Sequence, residues 1–529
     1  MARREMRWFG WGDPAHVSHG LPDGALELLR ARVGLADVPQ PPFPASAIRL
    51  PAAVEFDIPG VELRTDHEAR LLRSTGKSYP DLVRMRAGAL ETAPDAVAVP
   101  LLADDVRAVL GAGVAVVPFG GGTSVVGGVE ALRGEHPAVV SLDLGRLDRL
   151  LSVDARSRVA VFEPGIQLPA AEAALNAQGF TLGHFPQSYE YATVGGCVAT
   201  RSAGQASTGY GRIDAMVVGL DVATPAGDVH LPAVPASAAG PDLRELFVGS
   251  EGVLGVLTRV ALRVRPLPAE RRYEGFMFGS FEQGWNAFRA LEQEGAAPHV
   301  ARLSDESETE VTFAMAGREG VAADLAARYL RARKVERGCL AIVGWEGTFD
   351  GVEDARAASV SVLRRHGAVG LGRSPGRAWS RARFDGPYLR DDLLERGVMA
   401  ETLETATTWS NLGALYGAVG DALRRHAPVV MCHVSHLYET GASLYFTFIA
   451  RQREGEEIEQ WREAKAAACD AIVAAGGTIT HHHAVGRDHA SWLHHETSQP
   501  GLAALRAVKA ELDPEGIMNP GKLLPATAA

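Results

Sequence analysis

Between Pro118 and Gly128 the chain reads Pro-Phe-Gly-Gly-Gly-Thr-Ser-Val-Val-Gly-Gly, its densest glycine run, directly behind a short β-branched stretch at 113–117. Successive glycines after a strand let a backbone pass within hydrogen-bond reach of a ligand. Their amides can converge into an anion-binding nest, to which the hydroxyls of Thr123 and Ser124 add donors. A diphosphate is the natural guest; a tight surface turn is the alternative that these residues alone leave open. The run lacks the GxGxxG of a dinucleotide fold, and no Gly-Lys-Ser/Thr closes it as in a P-loop.

The 529 residues exceed one ordinary domain, and roughly three or four units are expected. With 46% hydrophobic and 22% charged residues the chain has ample core material, which excludes a disordered chain, a collagen and a coiled coil. A formal charge of −11 argues against a nucleic-acid binder, which carries a basic footprint. An anionic substrate would need a local cluster of arginines. Cys197, Cys339, Cys432 and Cys469 are too few and too scattered for a disulfide framework, and they suit a reducing compartment. Residues 1–12 hold no apolar signal-peptide core, and no run of about 18 apolar residues occurs. The expectation is a soluble, cytoplasmic protein without a transmembrane helix.

Local patterning divides the chain. Residues 1–92 read as an N-terminal region with a proline-rich linker at 39–44. Over 93–268 a helix at 104–110 feeds a strand at 113–117. Strands follow at 138–142 and 158–163, then a helix at 168–178 and an alternating strand at 260–264. A second α/β pattern fills 269–450, with strands at 340–344 and 443–449 and helices at 322–334 and 354–365. The end, 451–529, offers helices at 452–475 and 501–512 around a glycine turn and three histidines.

Two motifs mislead. Gly372-Arg-Ser-Pro-Gly376 matches the GxSxG of hydrolases, but the residue after a nucleophile must donate its N–H to the oxyanion, and Pro375 has none. No strand is expected before it. His481-His-His483 invites a metal reading, yet on a strand consecutive side chains point to opposite faces, so only His481 and His483 could share a ligand. No Cys or carboxylate stands nearby at zinc spacing. Acid–base work or phosphate contact is the better reading, and no metal is expected.

The glycine run, Phe185-Pro-Gln-Ser-Tyr-Glu-Tyr-Ala-Thr-Val-Gly-Gly196, Thr200-Arg-Ser-Ala203 and Gly249-Ser-Glu-Gly-Val-Leu-Gly-Val256 stand in the order and spacing of a known cofactor domain. Together they resemble the FAD-binding domain of the vanillyl-alcohol oxidase/p-cresol methylhydroxylase (PCMH) type. Asp513-Pro-Glu-Gly-Ile-Met-Asn-Pro-Gly-Lys-Leu-Leu524 resembles that superfamily's ending. Within it the chain is most similar to the alkyldihydroxyacetonephosphate synthase (alkylglycerone-phosphate synthase) family. The similarity lies in Arg7-Trp-Phe-Gly-Trp-Gly12, the glycine run, residues 194–201, Ala301-Arg-Leu303, Tyr438-Glu-Thr-Gly-Ala-Ser-Leu-Tyr445 and Gly477-Thr-Ile-Thr-His-His-His-Ala-Val-Gly486. It covers essentially the whole chain; Ala484 replaces the glycine usual after the histidines.

The resemblance implies an α+β protein: a two-subdomain PCMH-type FAD-binding domain and an α/β cap, with 451–529 completing both. Pro118, Phe119, Gly120, Gly121, Gly122, Thr123 and Ser124 would cradle the FAD diphosphate. Gln187, Ser188, Thr193, Gly196, Thr200, Arg201, Ser202 and Ala203, with Glu251, Gly252, Val253, Leu254, Gly255, Val256 and Leu257, would hold the rest. The loop contains no His or Cys, so the FAD is expected to be non-covalent. Tyr445 matches the family's catalytic tyrosine, His481, His482 and His483 its histidine triplet, Arg302 a functionally important arginine, and Arg390 its substrate-binding arginine. Without the family, Tyr445 is a core residue and both arginines are surface salt bridges.

The implied reaction exchanges the acyl group of acyl-dihydroxyacetone phosphate for a long-chain alcohol in ether lipid synthesis. The flavin N5 holds the substrate carbon, and no net redox change occurs. The implied partners are a phosphorylated ketone lipid and a fatty alcohol, with no nucleic acid. A homodimer with peripheral membrane contact is expected. A phenol has a reference pKa near 10, so a base role for Tyr445 requires positive charge from the histidines or an arginine to lower it. The competing reading is an FAD-linked D-2-hydroxyacid dehydrogenase. That family's Gly-His-x-Gly-Asp-Gly-Asn-Leu-His and Glu-His-Gly segments correspond here to residues 435–445 and 481–483, where the glutamate and one histidine are missing. A flavoprotein acting as an electron-carrying subunit has no residue speaking for it.

Overall fold

The computed structural model describes residues 3–14, 20–316 and 328–525. Three large sheets carry the chain, beside a two-stranded pair of Phe180–Thr181 with Arg265–Pro266. In the first, Ala96–Val99, Val139–Asp143 and Ala115–Phe119 run parallel, with Glu62–Arg64 antiparallel on the edge. The strands Ala96–Val99 and Val139–Asp143 are buried throughout, as continuous apolar runs in a covered parallel sheet should be. Helix Ala103–Leu110 makes the crossover into Ala115–Phe119, so the glycine run leaves the carboxyl end of the strand at one edge of this sheet. The chain's far end returns here. Val116 N–H donates to the Ile517 carbonyl, Asn519 N–H to that of Val116, and Lys522 Nζ to that of Glu130.

The second sheet has five antiparallel strands in the order Leu150–Asp154, Val159–Phe162, Val256–Arg263, Val217–Thr224, Gly227–Leu231. The helices Leu168–Asn176 and Val194–Ala199 share its core. The third has seven antiparallel strands: Val369–Gly372, Glu270–Phe278, Cys339–Gly347, Val300–Ser304, Val429–Tyr438, Gly441–Arg451, Val398–Thr408. Side chains alternate across a strand with period two. Cys432, Val434, Leu444, Phe446 and Phe448 therefore enter a core under the helices Phe281–Gln293, Phe349–Arg365, Leu412–Arg424 and Glu457–Ala474. Their neighbours Met431, His433, Tyr445, Thr447 and Ile449 face a cavity on the other side.

Two expectations need correcting or bounding. A strand, Val369–Gly372, does precede Ser374, and helix Arg373–Ala382 follows it. Its Val-Gly-Leu-Gly sequence is too glycine-rich to show a β pattern, and it lies at the sheet edge. The missing N–H of Pro375 thus remains the ground for rejecting a nucleophile elbow. The helix expected at 322–334 lies partly outside the described residues; 328–332 are helical. Among the described residues no helix is long and apolar enough to cross a membrane.

Candidate active site

One cavity of about 1510 Å³ reaches from the glycine loop across the open face of the seven-stranded sheet. Pro118, Gly120, Gly121, Gly122, Thr123, Ser124, Gln187, Ser188, Thr193, Gly196, Thr200, Ser202, Ala203, Glu251, Gly252, Gly255, Val256 and Leu257 line one end. Arg302, Arg390, Tyr445, His482 and His483 line the other. Beyond them an apolar arm is walled by Leu21, Leu29, Val311, Met315, Leu393 and Ile449.

Five expected residues do not line it. Phe119 turns beneath its own loop, where its ring carries the Arg73 guanidinium at 5.3 Å. Arg201, with φ 51, is drawn outward to the Val248 carbonyl, Asp214 and Glu245. Val253 and Leu254 follow the Gly252 turn into the core. His481 stands one layer back, its Nε2 sharing a 2.6 Å hydrogen bond with the Tyr438 hydroxyl.

The cofactor end fits an anion. A Cβ on Gly121 would sit inside the van der Waals envelope of the Tyr191 carbonyl oxygen, and Gly122 has φ +66, so the loop closes only with glycines there. Among the described residues no acceptor in the chain meets the N–H groups of Gly122, Thr123 and Ser124. Three free amides beside a cavity are the donor set that a diphosphate needs. Glu251 does something else. Its carboxylate takes the N–H groups of Val485 (2.8 Å) and Gly486 (2.7 Å), and burial lifts its pKa to about 7. It clasps the segment after the histidines onto the cofactor domain.

At the other end the Tyr445 ring stacks on His433 (centroids 4.8 Å apart, 20° between planes) and on His482 (6.0 Å, 26°), with His483 edge-on. Burial, reinforced by Glu404 and Glu401, pushes the phenol up to about 12. The expected lowering does not occur, because the histidines bring no charge. Burial holds His482 and His436 at about 3, against the pull of Glu404 on His482, and keeps His481 well below its usual value. Tyr445 is therefore protonated at neutral pH, and His482 is neutral. Arg302 is no surface salt bridge: it pairs with Glu308 and lies 3.0 Å from His433 Nε2, while Glu308 Oε2 lies 2.9 Å from His433 Nδ1. Burial would raise Glu308, but His433 and Arg302 outweigh it and hold that carboxyl at about 2.

The histidine triplet lies in a bend rather than a strand, so consecutive rings share one environment. A carboxylate does stand nearby. Buried Glu404 accepts the N–H groups of His481, His482 (3.1 Å) and His483 (2.5 Å), and the Thr480 hydroxyl at 2.9 Å. Burial would raise it; the imidazoles of His482, His483 and His481 and those N–H groups keep it below the carboxylate range. Glu404, His482 and His483, and likewise His436, His481 and His482, bring ligand atoms within 4.8 Å of one another. Several of these atoms are engaged within the network: His436 Nε2 lies 3.0 Å from the Gly204 carbonyl oxygen, and His481 Nδ1 is 2.8 Å from His482 Nδ1.

Arg390 spends one terminal nitrogen on the Lys77 carbonyl (2.9 Å); its Nε and the other terminal nitrogen are buried with no partner among the described residues. Glu404, His433, Glu308 and Lys77 are the site residues that sequence reasoning missed. Lys77 offered no signal. His433 could have been found by counting back from the turn before Gly441, had the bulge in that hairpin been known.

Two family profiles match the chain: "FAD binding domain" over residues 94–231 and "FAD linked oxidases, C-terminal domain" over 267–523. An alkyldihydroxyacetonephosphate synthase of Dictyostelium discoideum is 32% identical over 99% of this chain and 94% of its own length. One of Trypanosoma brucei brucei is 34% identical over 99% and 93%. A solved alkyldihydroxyacetonephosphate synthase superposes with a TM-score of 0.85 at 29% identity, covering 98% of both chains. With the glycine cradle, the free arginine fork and the tyrosine–histidine cluster in one cavity, the chain belongs to the alkyldihydroxyacetonephosphate synthase family of FAD-linked enzymes.

Proposed function

We propose that this protein is an FAD-dependent alkylglycerone-phosphate synthase, which exchanges the acyl group of acyl-dihydroxyacetone phosphate for a long-chain alcohol. One observation carries the reading. A single cavity joins an anion nest, an arginine with two free N–H donors, a protonated phenol beside neutral imidazoles, and an apolar arm. The residues of 118–124, with those from 187–203 and 251–257 that face the cavity, would hold FAD. Bound FAD supplies the ring chemistry that substitution at an oxygen-bearing carbon needs.

The chain's own groups do the rest. A guanidinium grips phosphate oxygens bidentately, and Arg390 has two donors free for it. Tyr445 gives its proton to the departing carboxylate oxygen, and His482 takes one from the incoming alcohol, so fatty acid and ether form without net redox. Arg302 and Glu308 hold His433 against the Tyr445 ring. The apolar arm takes the hydrocarbon chain and keeps water away. Residues 93–268 serve the cofactor, 269–450 the substrate, and 451–529 complete both, after an N-terminal region at 1–92. A cytoplasmic homodimer touching membranes peripherally completes the reading, and the apolar substrates support that contact.

The test is an anaerobic exchange. Acyl-dihydroxyacetone phosphate and labelled fatty alcohol should release fatty acid in step with label incorporated, leaving the flavin oxidised. Bleaching by a 2-hydroxy acid with no exchange would identify a dehydrogenase instead.

A further inference from the structure

The segment Arg7-Trp-Phe-Gly-Trp-Gly12 has no part in the chemistry above, yet it is tied to the helix Gly386–Leu394 that carries Arg390. Asp391, the next residue, is buried, and its Oδ2 accepts the Trp11 N–H at 2.5 Å and pairs with Arg7 at 3.4 Å. Both glycines of the segment press on that helix. A Cβ on Gly10 would collide with the same Asp391 oxygen, and one on Gly12, where φ is +92, with the Tyr388 ring.

A second tie runs through Lys77. Its buried ammonium donates to the carbonyls of Arg7 (2.8 Å) and Trp8 (3.0 Å). Its own carbonyl receives the Arg390 guanidinium, and its N–H donates to the Ser124 carbonyl at the end of the glycine loop (2.6 Å). A guanidinium is a rigid planar fork, so fixing one terminal nitrogen and the neighbouring residue fixes where the remaining donors point.

We propose that this N-terminal segment is a positioning element for substrate phosphate, acting through Asp391 and Lys77 to aim the free Nε and terminal nitrogen of Arg390. The proposal rests on the reading of Arg390 as the phosphate contact. Pre-orienting a long side chain removes an ordering cost that substrate binding would otherwise meet. The segment should therefore govern affinity for the phosphate rather than turnover.

Asp391→Asn preserves shape and an acceptor for Trp11 but removes the charge that holds Arg7. Its KM for the phosphorylated substrate should rise about tenfold, the scale of one charge-assisted hydrogen bond. Competitive inhibition by inorganic phosphate should weaken in parallel, while kcat, flavin content and Tm hold. Gly12→Ala should raise KM in the same way from the other side of the contact, with a lower Tm because φ +92 strains an alanine. In an Arg390→Lys background, Asp391→Asn should add less than twofold, because its target is already gone. Unchanged KM and phosphate inhibition in both segment variants would overturn the proposal. So would effects that simply multiply with Arg390→Lys, a loss of folding in Asp391→Asn, or variants that lose kcat rather than affinity. If Arg390→Lys itself alters neither KM nor phosphate inhibition, the reading of Arg390 fails. If only the segment variants are silent, the reading stands and the positioning role falls.

Discussion

Tyr445 keeps its proton because burial against His433 and His482, reinforced by Glu404 and Glu401, outweighs the Thr402 hydrogen bond and the Arg302 charge that would favour a phenolate. With the phenol near 12 and His482 near 3, both stay in their working states around neutrality, and kcat should show no inflection from this pair there. Tyr445→Phe keeps the stacked ring and deletes the donor. Its kcat should drop by about 10²–10⁴ with flavin content unchanged. Tyr438→Phe, which removes the partner of His481, should keep most turnover per bound flavin; the reverse ranking would move the donor to Tyr438. Ala484 is a different case. It holds φ 76 where the resembling family has glycine, a left-handed conformation that costs a Cβ roughly 1–2 kcal/mol. Ala484→Gly should raise the Tm slightly, and a fall would show that the side chain's packing outweighs the strain.

The glycine loop was legible because everything it needs is local: a strand, three residues without side chains, two hydroxyls. Gly121→Asp places a side chain against the Tyr191 carbonyl and a negative charge where we propose that the diphosphate sits, so the variant should purify colourless. Acid precipitation of the parent should leave its FAD in the supernatant; flavin in the pellet would mean a covalent bond. The strands that carry His433 and Tyr445 were only half legible. Gly441 pairs with Tyr438, and counting back from that turn sets Val434 opposite Tyr445. The bulge at Ser435 slips the register by one, so His433 stands there instead. Glu404 was invisible for another reason: the amides that need it lie 77 to 79 residues away in sequence. One of two glutamates in the strand Val398–Thr408, it announces nothing until the fold brings the histidine bend over it.

Across the whole molecule, buried titratable groups fall into opposing sets. His184, His436, His482 and His489 are held near 3 by burial, so below about 6.5 the unfolded chain binds protons that the folded one refuses, and stability falls with pH. Glu251, Asp305 and Asp488 are raised to about 7, so over about 4–7 the folded chain binds the extra protons and stability rises as pH falls. The two sets offset each other down to about pH 4.5. Below that the raised carboxyls are protonated in both states, and the histidines act alongside Glu308, whose folded value lies below its unfolded one. Denaturant midpoints should stay level between about pH 5 and 6.5 and fall steeply under about 4.5; a steady decline from pH 7 would refute the balance. The return of residues 517–522 to the first sheet bears on synthesis. Val116 and Glu130 wait for partners about 400 positions downstream. A ribosome must therefore translate past residue 522 before the cofactor domain can close, and nascent chains stalled short of that point should emerge without flavin.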